Sequence, residues 1–169
     1  MDRLSNGLFK DSFTTEEYIN LINKRYSTIP FNDQANQVYL SLGSRDTKEL
    51  EKIRFASFII FGRKVGIASL EDACNKLKID ITTLTHPYLR LITIIKALND
   101  GWYPDWQNEE EKKYYWYWNM KDYFNVWSTQ STFHHTYYTN IPSELYLKNE
   151  DLAYYAIMAF KSYFEETYK

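Results

Sequence analysis

The chain has a single cysteine, Cys74, and only three histidines, His86, His134 and His135. One thiol excludes an internal disulfide and a thiolate zinc cluster, and it suits a reducing compartment. His134 and His135 are adjacent, and neighbours on a strand point to opposite faces, a poor start for chelating one ion. No metal or cofactor is expected. Glycine and proline are scarce, at five and four residues in 169, and no repeat or low-complexity linker interrupts the chain. The length is that of one domain, so residues 1–169 are expected to fold as a single unit.

No apolar run is long enough to span a bilayer: the densest, Phe55 to Phe61, is broken by Ser57. The segment Met1 to Gly7 lacks the basic-then-apolar layout of a secretory signal. The expectation is a cytoplasmic protein with no membrane partner. Charge of one sign is missing too. The net value is −2, with 14 Lys/Arg against 12 Asp/Glu over residues 1–100 and 6 against 10 over residues 101–169. A protein that coats duplex DNA needs an excess of cations to displace counterions, so this balance excludes that role while leaving room for a local patch. The best such patch is Lys48, Lys52 and Arg54, continued by Arg63 and Lys64. Its plain structural reading is a solvated helix face.

Catalytic motifs are absent as well. The chain contains no nucleophile elbow, phosphate-binding glycine loop, dinucleotide fingerprint or H-E-x-x-H. Asp105 with Glu109, Glu110 and Glu111 is the sole carboxylate cluster, and an exposed acidic corner usually serves solubility. The chain is therefore not expected to be an enzyme.

Aromatic residues are abundant. All five tryptophans lie between Trp102 and Trp127, which concentrates the side chains most costly to expose in under a fifth of the chain. Ahead of them the pattern is helical. Thr14 and Glu17 have capping-box spacing before Tyr18, Ile19, Ile22 and Tyr26, and Pro30 ends that helix. Asn32 or Asp33 can cap a second helix that Gly43 closes, and Asp46 a third that ends at Gly62. Residues 69–84 are a weak match to a helix-turn-helix, since Pro87 falls where the second helix would need a donor. Pro87 fits better at the first position of a new helix capped by Thr85 or His86 and stopped at Gly101.

After Gly101 the period changes. Lys113 to Met120 reads as an aromatic strand, Tyr123 to Trp127 as a second, Phe133 to Thr139 as a third and Glu144 to Leu147 as a last short one. Asn149 then caps a terminal helix. The expected fold is α+β: an N-terminal helical part (1–66), then a small aromatic-rich antiparallel sheet packed with a C-terminal helix.

The runs EDACNKLKID (71–80), LRLITIIKALNDGWYPDW (89–106), KKYYWY (112–117) and LYLKNEDLAYYAIMAF (145–160) resemble small proteins carried by phages and mobile elements. Their shared core reads ALNxGWxPDW, then KYYPWF, then a strand leading into an ELAEYAxxxF helix. The resemblance covers residues 67–169. The chain departs from it at Tyr117 and in the polar stretch from Ser128 to Asn140. The resemblance implies a mobile-element setting, in which small proteins inhibit bacterial immune nucleases, anti-CRISPR proteins of RNA-guided effectors among them.

An aromatic strand beside helices leaves a face for binding. The candidate partner-binding residues are Trp102, Trp106, Tyr115, Trp116, Tyr117 and Trp118, with Lys48, Lys52 and Arg54 as the basic alternative. For Trp102 and Trp106 the structural reading is that they wedge a helix end against the sheet. The favoured partner is a host protein, such as a CRISPR effector or its RNA complex. The alternative is single-stranded nucleic acid stacked on Tyr115, Trp116 or Tyr117, with Lys112, Lys113 and Lys121 on the backbone.

Overall fold

The computed structural model describes residues 13–42, 47–119, 123–129 and 142–168. The chain divides into two compact units, Met1–Lys64 and Val65–Lys169.

Among the described residues the first unit holds three helices. α1 (Thr15–Arg25) starts in the capping box formed by Thr14 and Glu17, which satisfies two backbone donors that a helix start leaves unpaired. α2 (Phe31–Leu42) begins directly after Pro30. α3 (Thr47–Val65) is the longest of the three. Their inward stripes meet in a core of Tyr18, Ile19, Ile22, Ala35, Val38, Ile53 and Ala56. Phe31 stacks on Phe61 with ring centres 4.8 Å apart, joining α2 to α3. The Tyr18 hydroxyl donates to the Glu49 carboxylate, and the Gln34 amide closes the α1–α2 turn onto the Tyr26 carbonyl.

In the second unit α5 (Pro87–Asn99) is the spine, with Leu91, Thr93, Ile94, Ile95, Ala97, Leu98 and Asn99 all buried. Pro87 stands in its first turn, and His86 caps it through Nδ1, which accepts from the Tyr88 N–H. α4 (Leu70–Leu77) and α6 (Glu150–Tyr168) both pack on α5. The Tyr155 hydroxyl, buried in this packing, donates to the Ile67 carbonyl at 2.8 Å and ties α6 to the segment before α4. α6 departs from helical geometry at Phe160. Strands β1 (Lys113–Asn119) and β2 (Tyr123–Thr129) pair antiparallel, with Tyr115 opposite Trp127 and Trp116 opposite Val126.

Four expectations are corrected. The expected α+β fold does not hold: the described chain is mainly helical, and its strands amount to the β1–β2 hairpin and a one-residue bridge from Tyr114 to Leu147. Two short strands are too little for a sheet layer, and residues 102–112 are spent on turns rather than extended pairing. The strand expected over Glu144 to Leu147 is mostly a 3-10 turn, Ser143–Leu145, entered through Pro142. Gly62 does not end α3, which continues to Val65 and stops at Gly66, where φ is +70°. A helix interior tolerates a glycine at about 1 kcal/mol, whereas a left-handed residue ends it. Finally, neither Asn32 nor Asp33 caps the second helix, which already begins at Phe31. The arm before Phe13, the Gly43 and Asp46 helix ends, the strand expected over Phe133 to Thr139, and both His134 and His135 lie outside the described residues.

Candidate binding surface

The tryptophan-rich loop after α5 is held by a single carboxylate. Asp100 and Gly101 both take positive φ, which turns the chain sharply back at the end of α5. Glu111 then closes the loop on itself: one oxygen accepts from the Trp102 indole N–H at 2.9 Å and the other from the Asp105 N–H at 3.0 Å. Lys113 completes the clasp. Its Nζ lies 3.2 Å from Glu111 Oε2 and donates to the Asn108 and Glu111 carbonyls at 3.0 and 2.9 Å. It also lies 5.4 Å from the centre of the Trp106 ring, in reach of a cation–π contact.

Lys113 is only 2% exposed. A buried ammonium is tolerated because all its protons find acceptors. Burial raises the Glu111 pKa, but the Trp102 indole, the Asp105 N–H and the Lys113 ammonium outweigh it and hold the carboxyl below its ordinary range.

Trp106 meets Tyr146 edge-on at 5.1 Å, and Tyr146 is tilted against Tyr115 at 5.4 Å. Asn99, buried at the end of α5, donates to the Tyr146 carbonyl at 2.7 Å and accepts from the Lys148 N–H at 3.2 Å. Tyr114 exchanges both backbone hydrogen bonds with Leu147.

These contacts place the expected binding residues. Trp102, Trp106 and Tyr115 are half-buried: Trp102 bonds Glu111 within the loop, and Trp106 and Tyr115 both meet Tyr146 ahead of α6. Trp116, Tyr117 and Trp118 lie in β1, and their side chains are outside the described ones. Lys48 and Arg54 are exposed and Lys52 is half-buried. At about 100° per residue, Lys52 and Arg54 stand about 160° apart around α3, so they lie on opposite flanks of the helix rather than side by side.

The exposed apolar groups are others. Tyr154 and Met158, 37% and 50% exposed, stand one turn apart on α6, opposite its buried Leu152 and Ala156. Glu150, one turn before Tyr154, is close enough to Tyr114 to add to the rise in that phenol's pKa, which desolvation dominates. Helix α6 packs against both strands of the hairpin. Tyr103, 55% exposed, projects from the clasped loop with its hydroxyl 2.7 Å from Ser143 Oγ. Helical spacing carries the signal for the α6 pair: Tyr154 falls about 160° from both Leu152 and Ala156 on the wheel, and Met158 about 160° from Ala156 and about 120° from Leu152. Sequence attention to tryptophan passed over them.

The clasp's polar atoms are used up in holding the loop. Among the described residues no group of three or more His, Cys, Asp or Glu side chains could hold a metal ion, and no helix is long and apolar enough to cross a membrane. No family model, curated protein or solved structure matches the chain.

Proposed function

We propose that the chain is a cytoplasmic, non-enzymatic binding protein of a phage or mobile element that inhibits a bacterial immune nuclease of the RNA-guided class. One observation carries this reading: the Tyr154–Met158 stripe is exposed on α6, a helix that packs on the aromatic hairpin. Tyrosine supplies a large rigid contact at low entropic cost, and methionine adapts to an irregular partner surface.

Single-stranded nucleic acid is the weaker partner. The unit that carries these aromatics has 10 Lys/Arg against 14 Asp/Glu, the wrong sign for phosphates.

The test is plasmid interference in cells carrying an RNA-guided nuclease. The chain should restore transformation by a targeted plasmid, and Tyr154→Ala or Met158→Ala should weaken protection. In vitro, either change should weaken binding to the effector by about 2 kcal/mol, as hot-spot residues do, with little change in melting temperature. A nuclease-treated pull-down that recovers no effector, or protection untouched in the double variant, sinks the proposal. Affinity that collapses between low and high salt would point to nucleic acid instead.

A further inference from the structure

The outward side of α3 in the first unit combines an exposed aromatic ring with cations on both flanks. Phe55 is 55% exposed and stands about 160° around the helix from the buried Ile53 and Ser57. At about 100° per residue, Lys52 and Arg63 lie about 60° and 80° to one side of Phe55, and Arg54 about 100° to the other. Half-buried Phe58 and Ile59 border the ring within the same arc. Lys48 to Arg63 extends for about 22 Å along the axis, four turns of helix. Lys48, Arg54 and Arg63 are exposed, as is Glu51, one turn before Phe55.

We propose that this face docks an acidic amphipathic helix of a protein partner. An apolar ridge on that helix would cover Phe55 and the rim of Ile59, while carboxylates on its two edges reach Lys52 and Arg63 on one side and Arg54 on the other. Glu51 decides between this occupant and the other anionic ones. It lies about 40° from Phe55 on the helix wheel. A phosphate chain stacked over the ring would pass directly over this carboxylate and be repelled. A bilayer deep enough to take Phe55 would draw Glu51 toward the acyl boundary, where an ionised group is costly. A protein helix can meet Glu51 with one basic residue. This surface is separate from the α6 stripe and does not depend on it.

Fluorescence anisotropy with the full chain tests the docking. The probes are a labelled synthetic amphipathic helix of leucine and glutamate, the same helix with lysine for glutamate, an oligouridine, and vesicles of equal parts phosphatidylserine and phosphatidylcholine. The glutamate helix should bind and the lysine helix should not. Phe55→Ala and Arg63→Glu should each weaken binding about tenfold or more, while Tyr154→Ala leaves it unchanged. Circular dichroism should show the same helix content in every variant. Absence of glutamate-helix binding, or equal affinity in the Phe55 and Arg63 variants, overturns the proposal. Binding of oligouridine or vesicles in its place, lost in those variants, overturns it in favour of a phosphate ligand.

Discussion

Asn99 joins two segments far apart in the chain. Its side chain bonds the Tyr146 carbonyl and the Lys148 N–H, while its own carbonyl accepts the Trp102 N–H at 3.0 Å. Truncation strips a buried carbonyl of its donor, so Asn99→Ala is expected to cost about 1–3 kcal/mol. Urea unfolding measures this. A change below about 0.5 kcal/mol, the range of neutral surface substitutions, would mean that the amide contributes nothing net. In the sequence Asn99 stands only as a residue just ahead of the Gly101 helix stop, and it is the last residue of α5. Its second role is invisible there, because the partner lies 47 residues away and is a backbone atom, with no side-chain pattern to betray it.

Three helix starts were legible. The Thr14–Glu17 spacing, Pro87 and the Asn149 cap each act locally, and each starts a helix in the structure. Glu144 to Leu147 reads as a strand in the sequence, because an apolar triplet after Pro142 suits a strand or a 3-10 turn equally until the position of Tyr114 is known. The tryptophan loop was legible as aromatic but not as a clasp, since Glu111 looked like one of three exposed acids. Its depressed pKa has a consequence. The unfolded chain binds this proton more readily than the folded one, so the clasp's stability is complete above the ordinary value of 4.5 and falls as pH drops below it. Melting temperature should therefore decline between pH 5 and pH 3, and Glu111→Gln should flatten that decline. Identical slopes in both proteins would show that other carboxylates, Asp72 and Asp100 among them, carry the acid sensitivity.

At the scale of the whole molecule, charge follows the division into units: Met1–Lys64 carries 10 Lys/Arg against 8 Asp/Glu, and Val65–Lys169 carries 10 against 14. The two proposed surfaces thus offer different chemistry to partners, an apolar stripe on an acidic unit and a cation-flanked ring on a basic one. The burial of Lys113 also makes it a chemical clock. An amine-acylating reagent needs an uncharged nitrogen that it can reach, and Nζ of Lys113 is shut away with its proton acceptors satisfied. Lys112, the neighbouring residue, is exposed and supplies an internal standard on the same peptide. Mass spectrometry after timed labelling should find Lys112 acylated at once and Lys113 only as fast as the second unit opens. Equal rates at the two lysines would mean that the clasp opens freely in the native protein. A lag at Lys113 would give the opening rate of Val65–Lys169 without a denaturant, and would show whether a bound partner slows it.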